Sequence, residues 1–238
     1  MKTKHKLEQV SKIILVAAGK GGVGKSTISL ALAEQLAAQG AKVGIADTDI
    51  YGPSIPTMLG ISHKPDSIDG KIIPIESRGI KAISIGLLVS PESAVVWRGP
   101  MANKAIFQLL SGVEWGALDY LVIDTPPGTG DIHISILENY QIDGVLIVTT
   151  PQKIAALDVT KAIDLYKKFH APIIGIIENM SGSFAGEAGR QLAAQHGLSL
   201  LACVPLIPEV SLNSDMGKAI GHLMMSLLPS GLMPRIKS

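Results

Sequence analysis

The 238-residue chain is predicted to be an α/β protein, a three-layer sandwich whose mostly parallel sheet is covered by helices on both faces. Three observations predict this. Short β-branched apolar runs recur along the chain, stretches with helical spacing separate them, and the runs are continuously apolar rather than alternating. Strands that read this way are buried on both faces, which is the situation in a parallel sheet between helix layers. The length suits one large α/β unit, so a single domain is expected over residues 1–238, with an N-terminal extension (1–11) and a C-terminal tail (226–238).

The strands are expected at "KIILVA", "KVGIAD", "YLVID", "GVLIVTT", "IIGIIEN" and "LLACVPL". The clearest helix starts at Ser26, repeats Ile28, Leu32 and Leu36 every fourth residue, and stops at Gly40, a good C-terminal cap. Further helices are predicted from Ala102 to Ser111, from Asp158 to Phe169 and from Glu187 to His196, the first and last followed by Gly112 and Gly197. The stretch "DGKIIPIESRGIKAISIGLLV" sets turn residues between short apolar runs, so a hairpin is expected before its strand returns to the sheet.

Composition removes several classes of function. With 21 Lys+Arg against 20 Asp+Glu, no general electrostatic attraction to nucleic acid or to an anionic membrane is expected. Mean hydropathy is high at +0.35, but the longest uncharged runs, Gln191 to Pro208 and Ala219 to Pro234, are interrupted by Gly and Pro. A membrane span needs about 20 mostly apolar residues, so both runs are expected to be buried elements. The tail "AIGHLMMSLLPSGLMPRIKS" has only Arg235 and Lys237 as cations and reads as a last core helix, not a membrane-surface helix. The apolar run after "MKTKHKLEQVSK" is too short for a signal-peptide core, so no targeting segment is expected and the compartment is read as cytoplasmic. The one cysteine, Cys203, fits a reducing compartment and is expected to be a small buried side chain in a central strand. His63, His133, His170, His196 and His222 show no ligand-like spacing, so no metal site other than one for Mg²⁺ is expected.

The chemistry begins at "GKGGVGKST". Gly19, Gly24, Lys25 and Ser26 satisfy G-x-x-x-x-G-K-[ST], between a strand and a helix. Gly19, Gly21, Gly22 and Gly24, with Lys20 and Val23 between them, would let successive backbone N–H groups converge on phosphates, aided by the positive end of the helix. Lys25 would reach the β- and γ-phosphates, Ser26 would ligate Mg²⁺, and Thr27 would contact the α-phosphate. This is the phosphate loop of the P-loop NTPase sandwich. Asp124, at the end of "LDYLVID" and before a Pro/Gly-rich turn, suits a group holding a Mg²⁺-bound water. Asp47 and Asp49 in "ADTDIYGPS" are two apart and point the same way in extended chain. Asp49 is assigned to the attacking water and Asp47 to the Mg²⁺ shell, with the alternative that one of them merely caps the turn.

Lys20 is surplus to that motif. Together, "GKGGVGKST", "DTDIYGPSIPTMLG", "VVWRGPMANKA", "LDYLVIDTPPGTGD" and "IIENMS" resemble the deviant Walker A (SIMIBI) ATPases, and among them the Mrp/Nbp35, ApbC-like iron–sulfur cluster carriers. The likeness runs from about residue 10 to 220. It implies ATP as the nucleotide, slow Mg²⁺-dependent hydrolysis and a face-to-face homodimer. In that dimer Lys20 would contact the ATP of the other subunit, much as an arginine finger does. It also implies that Asn179 reads the adenine edge, the residue-based alternative being a turn cap, and that the region around Arg98 lies near the dimer contact. By residues alone, Pro100 opens a helix there with Ile106, Leu109 and Leu110 buried.

The resemblance breaks after "ENMS". Carriers of this family continue with a C-x-x-C pair that supplies four thiolates per dimer to a [4Fe–4S] cluster. This chain reads "ENMSGSFAGEAGRQLAAQHG" instead, and with so few residues ahead of the loop the small domain that many members carry in front is expected to be absent. The expected function is therefore an Mrp-type ATPase in iron–sulfur cluster assembly or delivery, with client or scaffold proteins as partners. Two alternatives stand beside it. One is a cluster-free nucleotide-switched adaptor, with a heterodimer with a cysteine-bearing relative as one form of it. The other is a positioning ATPase like the cell-division and partition proteins. No nucleic acid and no stable membrane association are expected.

Overall fold

The computed structural model describes residues 4–89, 100–152, 156–183 and 186–206. The elements, in order, are β1 (Val10–Ala18), α1 (Lys25–Ala38), β2 (Val43–Asp47), α2 (Ile55–Leu59), β3 (Ser67–Ile68), β4 (Lys71–Ile72), β5 (Ile75–Ser77), β6 (Ile80–Ser84), α3 (Ile85–Leu88), α4 (Pro100–Leu110), β7 (Leu118–Asp124), α5 (Asp131–Asn139), β8 (Gly144–Thr149), α6 (Ala156–Lys168), β9 (Ile173–Ser181), α7 (Ala188–His196) and β10 (Leu200–Pro205). Eight strands form one sheet in the order β10-β9-β8-β1-β7-β2-β6-β5, and β3 pairs with β4 separately. Every pairing in the large sheet is parallel except β5 with β6.

Alternation along β1 builds the two apolar layers. Ile13, Leu15 and Ala17 pack with Ile106 and Leu109 of α4, Ile136 of α5, and Ile163 and Tyr166 of α6. Ile14, Val16 and Ala18 pack on the opposite face with Ile28, Leu32 and Leu36 of α1. A strand enclosed on both faces has no polar side to show, which is why these runs look continuously apolar in the sequence. α1 ends as expected: Gly40 adopts φ 86, and the Ala41 N–H donates to the Leu36 carbonyl at 3.2 Å. The expected hairpin is β5–β6, turned by Arg78 (φ 51) and Gly79 (φ 75), after which β6 lies parallel to β2.

The predicted helices appear within two residues of their expected starts. The short α2 and α3 and the nine-residue α5 were not expected. α2 and α5 follow Pro/Gly-bearing turns whereas α3 follows β6 directly, and α2 and α3 are too short to establish a period. Of the two uncharged runs, the first divides into α7 and β10. The second, the C-terminal tail and Arg98 lie outside the described residues. No helix among the described residues is long and apolar enough to cross a membrane.

One expectation is overturned. Cys203 is exposed, and β10 is the outermost strand of the described sheet, with β9 as its neighbour. At this edge only Ala202 and Val204 turn inward, while Cys203 and Pro205 face out. An apolar run marked this strand as buried, but its second face lacks a covering layer among the described residues.

Gly44 shows how closely β2 is packed. A Cβ there would lie 2.7 Å from Leu118 Cδ1 and 2.9 Å from the Trp115 ring. Gly44→Val should therefore destabilise the protein by about 1–3 kcal/mol, read as a lower urea midpoint. An unchanged midpoint would contradict this packing.

Candidate functional site

Parallel pairing brings the carboxyl ends of β1, β7 and β2 to one edge of the sheet, the edge at which open α/β sheets bind ligands. Register places Val16 opposite Asp124 and Asp124 opposite Asp47, and Asp47 opposite Ser84 of β6. The loop of residues 19–24 leaves β1 at this edge and enters α1 at Lys25. Gly22 (φ 76) and Gly24 (φ 81) lie in the left-handed region, and a Cβ on Gly24 would also overlap the Asn179 amide.

Asp124 is the centre of the site. Its carboxylate is fully buried and faces three donors. Lys25 Nζ lies 2.7 Å from Oδ1, Ser29 Oγ 2.7 Å from the same oxygen, and Ser26 Oγ donates to Oδ2 at 2.6 Å. Buried charges persist when paired and hydrogen-bonded in this way. The motif residues Lys25 and Ser26 are thus joined to the strand-ending carboxylate 98 to 99 positions away. Thr48 fixes the backbone at this point, its N–H and Oγ1 each lying 2.8 Å from the Asp124 carbonyl.

The two other carboxylates differ. Asp49 faces Lys25 Nζ with Oδ2 at 3.9 Å, while Oδ1 accepts from the Tyr51 and Gly52 N–H groups at 3.2 Å. Burial pushes its pKa up, against the opposing pull of Lys25 and those N–H groups. Asp47 is fully buried, one strand over from Asp124. It accepts from the Asp49 N–H at 3.1 Å, the Ile55 N–H at 3.2 Å and Ser84 Oγ at 3.1 Å, and none of these partners is Lys25 or Ser26. Burial first, and the negative Asp124 second, push Asp47 up to about 7. Both aspartates cap local turns, and only Asp49 also reaches the phosphate-loop lysine. The extended-chain geometry that would point them the same way ends with β2 at Asp47.

Asn179 donates from Nδ2 to the Val23 carbonyl at 2.9 Å, so β9 braces the phosphate loop. Lys20 Nζ donates to Gln152 Oε1 of the same chain at 2.9 Å. Gly21 is exposed and Thr27 half-buried. A Cβ on Gly19 would lie 2.5 Å from the α6 backbone at Asp158 and Val159, so that glycine is needed for close packing. Four polar neighbours escaped the sequence reading: Ser29, Thr48, Ser84 and Gln152. Ser29 carried a signal, since it lies one helical turn after Lys25; the others depend on strand register.

A glycine loop between a central parallel strand and a helix, with its lysine and serine on a strand-ending aspartate, defines a P-loop nucleotide-binding protein. The chain belongs to the family described as ParA: NUBPL iron-transfer P-loop NTPase, whose model matches residues 9–227. It is similar to the iron–sulfur cluster carrier protein of Rickettsia bellii, 57% identical over 210 residues, covering 88% of this chain and 66% of that protein. The protein of the same description from Escherichia coli is 46% identical over 231 residues, covering 92% of this chain and 62% of the relative. The chain thus spans somewhat under two thirds of the length of these curated relatives. Among solved structures, the nucleotide-binding protein of Archaeoglobus fulgidus in complex with ADP superposes with a TM-score of 0.78 at 33% identity, over 94% of both chains. The Pyrococcus furiosus cell division ATPase MinD gives 0.69 at 22% identity, covering 90% of this chain and 97% of its own, and shows the fold alone.

The Asp47 carboxyl ordinarily ionises near 3.8 and is raised to about 7 in the fold, so its contribution to stability is complete below pH 4 and is lost as pH rises to about 7. Asp47→Asn should remove that loss. Urea unfolding at pH 5 and pH 7.5 should therefore show the wild type losing stability relative to the variant; parallel pH profiles would contradict the assignment.

Proposed function

We propose that the chain is an ATP-binding and ATP-hydrolysing P-loop ATPase of the Mrp type that works as a dimer in cytoplasmic iron–sulfur cluster assembly or delivery. The observation that carries this reading is the junction of Lys25, Ser26 and Asp124, on a chain so similar to proteins described as iron–sulfur cluster carriers. The A. fulgidus structure with ADP supports an adenine nucleotide at this loop.

Lys25 is held next to the loop by Asp124 and would turn to the β- and γ-phosphates as they enter. Ser26 Oγ and Asp124 Oδ2, 2.6 Å apart, are hard oxygen donors that fit Mg²⁺, a cation usually bound by one or two protein oxygens with phosphates and water. When bound, Mg²⁺ would neutralise charge on the phosphate oxygens. Asp49 would orient the attacking water, a role supported by the Tyr51 and Gly52 N–H groups that hold its Oδ1. Asp47 would support this arrangement from behind, through the Asp49 N–H, and its assignment to the Mg²⁺ shell would be indirect, beside Asp124. In a face-to-face homodimer Lys20 would exchange Gln152 for the partner's phosphates, and Asn179 would face the base while bracing Val23.

A second reading concerns the cargo. A bridging [4Fe–4S] cluster takes four thiolates, whereas two copies of these 238 residues supply two, both from Cys203 on β10. Between Ser181 and the start of α7 at Ala188 there is no cysteine. Glu178 closes this connection, accepting from the Gly189 N–H at 2.8 Å and from Ser181 Oγ at 3.1 Å. These residues do not fit a cluster held by this chain alone. They favour a nucleotide-switched adaptor, or a mixed dimer in which a cysteine-bearing relative holds the cargo.

Lys25→Ala should abolish ATP binding, whereas Lys20→Ala should retain it and lose ATP-dependent dimerisation and turnover, as read by fluorescent-nucleotide titration and sedimentation velocity. Equal loss of binding in both variants would refute the trans role of Lys20. Asp49→Ala should bind ATP and leave it unhydrolysed, and normal turnover would remove Asp49 from the mechanism. Anaerobic reconstitution should yield no stoichiometric cluster on the homodimer; four iron and four sulfide per dimer would restore direct carriage.

A further inference from the structure

His133 has no part in the site as described so far. It lies on α5, 1% exposed, behind the Pro126–Pro127 turn through which the chain leaves Asp124. Its Nε2 is 2.9 Å from the Pro126 carbonyl oxygen and its Nδ1 is 2.7 Å from Tyr166 Oη. A carbonyl oxygen only accepts, so Nε2 carries the proton. Burial pushes the ring's pKa down to about 4, which leaves it neutral near pH 7 and Nδ1 an acceptor for the Tyr166 hydroxyl. The two partners therefore select one tautomer.

On its Asp124 side the turn is anchored by Thr125, whose N–H and Oγ1 donate to the Val16 carbonyl at 3.3 and 2.8 Å, and beyond Thr125 the Pro126 carbonyl is met by His133. Pro126 and Pro127 bring no N–H, and the Gly128 N–H donates to the Ala18 carbonyl at 2.9 Å. Beside the turn is a pocket of about 280 Å³, bordered by Ile50, Tyr51 and Asp131 and by Pro126, Pro127 and His133 themselves, so packing does not hold the turn from that side. Tyr166 belongs to α6, whose first turn backs directly onto Gly19 of the phosphate loop. One helix thus abuts the phosphate loop at its start and, through Tyr166 and His133, holds the turn after Asp124 towards its end.

We propose that His133, as the Nε2–H tautomer selected by the Pro126 carbonyl and held by Tyr166, is a positioning residue for hydrolysis, which fixes the Pro126–Pro127 turn and through it the set of the Asp124 carboxylate against Lys25 and Ser26. This rests on the ATPase reading above. The clamp acts on the geometry after the nucleotide is seated, so its loss lowers kcat and leaves KM for ATP nearly unchanged. A side chain that merely filled space would be replaced by any ring of similar volume.

The test compares His133→Phe, which keeps a ring and loses both nitrogens, with His133→Gln, whose amide can donate to Pro126 and accept from Tyr166. His133→Phe should lower kcat roughly tenfold or more with KM within about threefold, and His133→Gln should recover at least about a third of the wild-type kcat. Unchanged kcat in His133→Phe, equal loss in both variants, or a loss confined to KM would overturn the proposal. ¹⁵N spectra of histidine-labelled wild-type protein should show an Nε2–H tautomer at pH 7. If His133→Phe does not fold, this spectrum decides, and an Nδ1–H or doubly protonated ring in the wild type overturns the clamp. A wild type without ATP turnover would sink the ATPase reading by itself; the clamp would then be judged by whether Mg·ATP shifts the His133 signals, and no shift would overturn it.

Discussion

The buried carboxylate of Asp124 is the constraint on which the rest of the site depends. An ionised carboxylate out of contact with water survives only when its oxygens are matched by donors, and here Lys25, Ser26 and Ser29 supply them from a single helical turn. That requirement ties the first turn of α1 to the end of β7 and so fixes the phosphate loop over the sheet. It also explains the neighbouring strand. In-register pairing brings Asp47 beside Asp124, and two carboxylates this close cannot both ionise freely, so the second is surrounded by N–H and hydroxyl donors.

Around this junction the loop is held from both sides. Asn179 grips the Val23 carbonyl from β9, and the α6 backbone leaves room only for hydrogen at Gly19. The carboxyl-end edge of a parallel sheet makes such convergence natural, because every strand delivers its last residue to the same rim. Lys20 stands apart. Its contact with Gln152 is a single hydrogen bond to a neutral amide, weak enough to be exchanged for a phosphate.

The strands and long helices could be read from the chain because each carries many apolar positions with one period, as Ile28, Leu32 and Leu36 do in α1. The phosphate loop was legible for a different reason: its glycines and lysine are contiguous, so spacing alone specifies the chemistry. What escaped depends on register between distant segments. Nothing local marks Ser84 as the partner of Asp47, Gln152 as the partner of Lys20, or His133 as the support of Pro126. Cys203 misled for a related reason: an apolar run shows that a strand is enclosed, but not whether it ends up in the middle of the sheet or at its rim. The histidines have no metal-ligand spacing, and His133 finds its partners in a carbonyl and a phenol.

The role proposed for the Lys25–Ser26–Asp124 junction is that of a preassembled site for a magnesium-bound nucleoside triphosphate. Titration calorimetry of ATP into the purified protein, with Mg²⁺ and again with EDTA, tests it most directly. One ATP should bind per chain, with an affinity that falls by about an order of magnitude or more when Mg²⁺ is removed. Absence of binding, or binding indifferent to Mg²⁺, would contradict it.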